Sequence, residues 1–222
     1  DLKFNDTFIR DYPNSRADRL MHIQLKHPEV TELGPNEEYE LKSSTFSSLP
    51  YVFKNEKPEN TDGYYRVLGL QSGARFWKWI DKRYMIPRYP QNNNIDAWKV
   101  FVPKANGSGT FGETLSTPTV GAPSDTATPT FISIGAFSTE AEALHTAKYI
   151  KTKFARCLLG IFKITQDNPP SKWEYIPLQD FTSNSDIDWT RSIAEIDQQL
   201  YAKYGLDQHE IDFIETRVKE MA

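Results

Sequence analysis

Two short stretches of the chain have residue types spaced as they are in sites that do chemistry. Glu40-Leu41-Lys42 has the E-x-K spacing of one half of a metal-dependent nuclease site. Such a site also needs an acidic residue from a neighbouring strand, and an apolar strand to hold the pair around its ion. Residues 37 to 42 are polar, so an exposed charge pair is the better reading. Gly107-Ser108-Gly109-Thr110-Phe111-Gly112 spells G-x-G-x-x-G directly after an apolar alternating run. A dinucleotide site requires a helix next, with the pyrophosphate on its N-terminus. Residues 113 to 129 carry Pro118, Gly121, Pro123 and Pro129, a continuation that cannot sustain a helix. The four histidines are scattered, and no His, Cys, Asp or Glu cluster has metal-ligand spacing. The single cysteine, Cys157, lies in an apolar stretch, which points to a buried, inert thiol. Catalysis within this chain is not expected, and neither is a metal.

What remains is binding. The run Trp98 to Val102 reads as a strand, with Trp98, Val100 and Val102 on one face. It leads through Pro103 and Lys104 into the small-residue loop Asn106-Gly107-Ser108-Gly109-Thr110, whose exposed N–H groups can approach a phosphate closely. The net charge is −4, but its distribution matters more. Residues 61 to 111 hold 8 Lys/Arg and 3 Asp/Glu, against 8 and 11 in residues 1 to 60 and 4 and 9 in residues 181 to 222. One basic segment therefore sits between acidic ends, and a localised patch of this kind suits a nucleic acid backbone. Arg75, Lys78, Lys82, Arg83, Lys99 and Lys104 are the candidate phosphate anchors, joined by Gly107, Ser108, Gly109 and Thr110. Asn reads adenine bidentately and Arg reads guanine, so Arg75, Arg88, Asn92, Asn93, Asn94 and Asn106 are candidate base readers. A solvated sheet face over an aromatic core accounts for the same alternation, and both readings stay open here.

The elements that must position these residues follow from periodicity. With 222 residues, 38% hydrophobic and 13% aromatic, the chain can bury a real core. No apolar run approaches membrane-spanning length, and no signal peptide is visible. One cysteine excludes an internal disulfide and fits a reducing compartment, here the cytoplasm. The first residue is Asp1 rather than Met, so a piece of a longer protein is expected. Residues 16 to 26 read as a short helix stopped by Pro28; the rest of residues 1 to 62 defines no architecture. Residues 64 to 70 and 75 to 80 read as strands joined by a turn. Residues 112 to 129 read as a long polar loop, and 130 to 137 as a strand. Thr139 with Glu142 opens a helix that continues, broadly, to Gln166, with His145, Lys148, Lys151, Lys153 and Arg156 along its more polar sides. Residues 173 to 177 read as a strand. Two helices follow, capped by Ser192 with Glu195 and by Asp207 with Glu210, and Gly205 stops the first. The pattern predicts an α+β fold: a mixed, mainly antiparallel sheet with a central helix and a C-terminal helical pair. Its expected divisions are an N-terminal segment (1–62), a sheet-based core (63–182) and the helical pair (183–222), packed on that core or on a neighbouring domain.

Asn168-Pro169-Pro170-Ser171 approaches the N-P-P-aromatic motif with which adenine-methylating enzymes hold a flipped base. Ser171 stands where the aromatic must be, so a proline-stiffened loop is the better reading. Contact with DNA through Gln166, Asn168 or Lys172 stays open.

Several longer phrases are more specific. W-K-V-F-V-P-K-A-N-G-S-G-T-F (98–111), Y-I-K-T-K-F-A-R (149–156), Y-I-P-L-Q-D-F-T (175–182), D-I-D-W (186–189) and Y-A-K-Y-G-L (201–206) occur in that order. As an ordered set they resemble the C-terminal target-recognition domain of restriction–modification enzymes that fuse an adenine-specific DNA methyltransferase to a nuclease. The resemblance covers roughly the last two-thirds of the chain. It implies a bacterial or archaeal module that grips double-stranded DNA and selects the site. The methyltransferase domain of the same parent chain then binds S-adenosylmethionine and methylates adenine, and a nuclease part uses Mg²⁺. This chain departs from the whole enzyme in carrying no cofactor motif, no complete N-P-P-aromatic motif and no nuclease triad. The resemblance therefore implies a reader without chemistry of its own. A stand-alone specificity subunit and a small nuclease using Glu40 and Lys42 are the rival readings.

Overall fold

The computed structural model describes residues 21–24, 38–40, 43–87, 94–105, 110–162 and 165–221. The strands and helices among them are β1 (Met21–Gln24), β2 (Glu38–Glu40), α1 (Thr45–Ser48), β3 (Phe53–Lys54), β4 (Tyr64–Gln71), β5 (Ala74–Asp81), β6 (Met85–Pro87), β7 (Trp98–Pro103), β8 (Thr119–Gly121), β9 (Asp125–Ala127), β10 (Phe131–Phe137), α2 (Glu140–Lys151), α3 (Lys153–Phe162), α4 (Pro170–Trp173), α5 (Ile193–Tyr204) and α6 (Gln208–Arg217). The fold is α+β. Its sheets are antiparallel except where β9 lies parallel to β4. No helix among the described residues is long and apolar enough to cross a membrane.

The β4–β5 hairpin is set by a two-residue turn. Ser72 and Gly73 both have positive φ (50° and 80°), the backbone twist that joins two right-twisted strands without splaying them. That turn fixes the register, pairing Arg66 with Trp79, Leu68 with Trp77 and Val67 with Lys78. With β3 and β9 the hairpin makes a four-stranded sheet in the order β3-β5-β4-β9. A second sheet has the order β10-β7-β8, and a third β2-β1-β6.

β7 is the central strand of the second sheet and is covered on both faces. Val100 and Val102 pack with Ile132 and Ile134 under the helices, in a core that continues through Tyr149, Phe154, Trp173, Phe181, Trp189 and Leu200. Phe101, on the opposite face, meets Leu68, Ala127 and Phe131 in a smaller core between the two sheets.

The helix ends follow the capping residues. Thr139, Ser192 and Asp207 accept from the backbone N–H groups of Glu142, Glu195 and Glu210. The last two are complete capping boxes, each cap being worth about 0.5–2 kcal/mol. The helical stretch after Lys151 is broken rather than continuous. Thr152 leaves helical geometry (ψ 149°), and α3 restarts with its first N–H groups, Lys153 and Phe154, bonded to Asp197 of α5 at 2.9 and 2.8 Å.

Four expectations are corrected. Residues 21 to 24 form a strand rather than part of a helix, because β2 and β6 pair with both their edges. Residues 112 to 129 hold β8 and β9 rather than one continuous loop, since β7 and β4 offer them open edges. Residues 170 to 173 form a helical turn where the strand at 173 to 177 was to begin, with Pro170 at its first position and Trp173 buried. Arg156 lies inside the molecule rather than on the polar side of its helix, where Lys151 O and Lys219 O accept its donors.

Candidate nucleic-acid interface

The sheet face that carries Arg66 and Trp79 opens to solvent at one end, above the turn that joins β8 to β9. β4 alternates, so Tyr64 and Arg66 point to this face while Tyr65 and Val67 point to the other. Arg66 Nε donates to Asp125 Oδ1 at 2.8 Å and Nη2 donates to Oδ2 of the same carboxylate, a bidentate pair across the parallel β4–β9 edge. Asp125 Oδ2 also accepts the Ala122 N–H at 2.7 Å. The Arg66 guanidinium lies 4.2 Å from the Trp77 ring centroid and 6.0 Å from that of Trp79. Lys54 donates to the Tyr64 hydroxyl at 2.7 Å, and the Lys82 ammonium sits 5.0 Å from the centre of the Tyr65 ring. Contacts of this kind contribute about 0.5–2 kcal/mol each and hold a cation by its approach to a ring.

Between these side chains and the 122–125 turn lies a cleft of about 500 Å³. It is lined by Tyr64, Arg66, Trp79 and Lys82 on one side, by Pro123 and Ser124 on the other, and by Asp62 and Asp125. Lys99 builds its wall from within. It is fully buried, and its ammonium donates to Ile95 O (3.0 Å), Ala122 O (3.1 Å) and Asp125 O (2.9 Å). All three of its N–H bonds therefore go to backbone. Burial pushes its pKa down to about 7, against the pull of Asp125 and Asp96. The turn it staples includes Ser124, held at φ 69°, whose N–H reaches Ile95 O.

This geometry corrects part of the anchor set. Lys99 cannot meet a phosphate, because β7 is covered on both faces. Lys78 is also buried, with its ammonium 5.0 Å from the centre of the Phe46 ring beneath the sheet. Asn94 is no base reader, since it is buried and its Nδ2 donates to Ser133 Oγ and Gly135 O across the β10 bulge. Arg75 is half-buried. Its Nη1 donates to Thr117 O and Thr119 Oγ1, and its guanidinium lies 5.4 Å from the Phe131 ring centroid, so it acts chiefly as a strut. Burial lowers its pKa.

Lys82 lines the cleft. Lys104 and Thr110 are exposed, but Lys104 stands at the other end of β7, about 16 Å from Lys99 at ~3.3 Å per residue. Arg83 lies in the 3-10 turn Lys82–Tyr84, and its side chain lies outside the described residues. Arg88, Asn92, Asn93, Asn106, Gly107, Ser108 and Gly109 lie outside the described residues, as does Lys42. Asn168 is buried beside the backbone of Lys104, so it meets no groove directly. Gly112 is glycine for packing reasons: at φ 74°, a Cβ there would stand 1.9 Å from Arg217 O. Cys157 is buried, and burial pushes its thiol up to about 11, out of the reactive range.

Sequence reasoning passed over Lys54, Tyr64, Arg66 and Trp79. The hairpin turn was a usable signal for Arg66 and Trp79, because it makes them direct cross-strand neighbours. Asp125 had no such signal, being far along the chain and in a strand of three residues. Comparison with family models, with curated proteins and with solved structures finds no match for this chain.

Proposed function

We propose that the chain is the double-stranded DNA recognition module of a restriction–modification adenine methyltransferase, without chemistry of its own. The observation that carries the reading is the convergence of Lys54, Tyr64, Arg66 and Trp79 on one open sheet face, with Lys82 at the edge of its cleft, where the ammonium lies over the Tyr65 ring. Lys54 and Lys82 anchor a backbone there by charge, and the rings and the carboxylate-paired Arg66 plane between them offer contact to sugars and bases. The ordered phrases of residues 98 to 206 support the same reading and supply the parent enzyme. In that enzyme S-adenosylmethionine, and Mg²⁺ for cleavage, belong to other domains, and no residue of this chain is assigned to either. A bacterial or archaeal cytoplasm is the setting this reading implies.

The test is binding of the chain to a random-sequence duplex at two salt concentrations, with and without Mg²⁺. Binding that weakens steeply with salt, without cleavage, is the expected result. Absence of binding at low salt overturns the reading. Mg²⁺-dependent cleavage replaces it with the nuclease of Glu40 and Lys42. A specificity subunit working apart from a methyltransferase is distinguished by finding whether a cofactor-binding domain shares its chain.

A further inference from the structure

The cleft has a feature that backbone binding does not require. Arg66 is neutralised by Asp125, so it is a poor phosphate ligand, yet it is held rigidly in place. Phe101 meets Trp77 edge-on with ring centroids 6.0 Å apart, and the Arg66 guanidinium lies 4.2 Å from the other ring of that pair. Arg66 lines the cleft and Trp77 does not. The guanidinium is therefore the outer layer of a stack that starts in the small core, and its remaining face looks into the cleft. A carboxylate-locked guanidinium backed by an indole is a flat, polarisable platform of the kind on which unstacked bases lie.

We propose that this cleft binds a single unstacked nucleotide, with its base on the Arg66 platform beside Trp79 and its phosphate towards Lys82. The inference rests on the DNA-recognition reading and narrows it, by naming a nucleotide out of the helical stack as the ligand of this site. Its volume of about 500 Å³ falls within the size range of small-ligand sites, whereas paired bases inside a duplex cannot enter it. Charge fixes the orientation. Asp62 and Asp125 share the cleft with Arg66 and repel a phosphate from the platform. Lys82 is three residues along β5 and its following turn from Trp79, about 10 Å away at ~3.3 Å per residue. The Lys99 staple keeps the opposite wall, residues 122 to 125, from closing over the platform.

The experiment compares a fully paired duplex, the same duplex with a one-nucleotide adenine bulge, and free dAMP, with tryptophan fluorescence as the readout for dAMP. The bulged duplex is expected to bind roughly tenfold tighter than the paired one, and dAMP is expected to quench the fluorescence. Arg66→Lys retains the charge and removes the plane, so it should abolish both the bulge preference and the quenching. Trp79→Leu should do the same without touching the Asp125 pair, which covers the case of a poorly folded Arg66→Lys protein. Equal affinity for paired and bulged duplexes overturns the nucleotide site and leaves the DNA reading standing. Binding to neither duplex overturns the DNA reading. In that case dAMP decides the site alone: quenching lost in Trp79→Leu supports it, and no quenching overturns it.

Discussion

On the four-stranded sheet, cations lie over rings: Arg66 over Trp77, Lys54 over Tyr64, Lys82 over Tyr65. In the helical half two of them, Lys148 and Arg156, are sunk into backbone carbonyls instead. Lys148 donates to Trp189 O and Arg191 O, and Arg156 to Lys151 O and Lys219 O. The two arrangements leave different things behind. A carbonyl takes up an N–H bond, so a cation among carbonyls has fewer donors left for a ligand, and the three of Lys148 or Lys99 are all taken. A ring attracts the charge without using the donors, which stay available to an incoming group except where a neighbour takes them, as Asp125 takes two from Arg66 and Tyr64 one from Lys54. Lys99 is the instructive exception: it belongs to the basic segment by sequence and to the carbonyl-held class by structure.

If this division is right, carbonyl-held cations govern stability and ring-held cations govern binding. The largest effect is expected from Lys99→Met, which leaves three carbonyls without a donor and should cost about 3 kcal/mol in urea unfolding. The same change should weaken DNA binding only through loosening of the 122–125 turn. Asp197, which restarts α3, offers a pH test of comparable size. Burial raises its pKa to about 6 from an ordinary value of 3.8, with the Lys153 and Phe154 N–H groups opposing. A carboxyl whose folded pKa is raised contributes stability that is complete below about pH 4 and lost as pH rises through 6. A shift of this size is worth ~3 kcal/mol. Asp197→Asn should remove that slope between pH 4 and 6, as followed by thermal melting across the range.

Ser192→Ala removes one half of a capping box and should lower stability by about 1 kcal/mol with no change in binding. Lys82→Ala should leave stability within about 0.5 kcal/mol and reduce the salt slope of DNA binding by about 1. A Lys82→Ala protein that melts earlier and binds normally would reverse the assignment of the two classes.

How far these features could be read in advance depended on how local they are. The capping residues of α2, α5 and α6 and the Gly205 stop act within four residues, and each was legible. The Ser72–Gly73 turn likewise fixed eight cross-strand pairs. Strands made by distant pairing were not legible. β1 carries Ile23 at a spacing from Leu20 that suits a helix, and only pairing with residues 38–40 and 85–87 makes it a strand. β8 and β9 are three residues each, too short for any periodicity to register. Lys99 misled for a related reason. Alternation tells which residues share a face of β7, but a cation on the second face looks solvent-directed until Phe101 and Phe131 are seen to cover that face. The candidate cleft was half visible. Lys82 came from composition; Arg66 and Trp79 were passed over although the hairpin register makes them neighbours, and Asp125 and the 122–125 wall came only from the fold.

The fit of Gly112 beneath Arg217 has a consequence for how the protein is made. Arg156 binds Lys219 O, the Lys219 N–H donates to Gly112 O, and Met221 is buried in the large core. The middle of the chain therefore waits for residues 217 to 221 before its core can close. The β4–β5 hairpin needs nothing beyond residue 81 for its own register, and so can form while the rest is being synthesised. At typical elongation rates the interval between the two events is roughly 7–30 s. For that time the apolar faces of β7, β10 and α3 depend on whatever else the nascent chain or the cell provides to cover them.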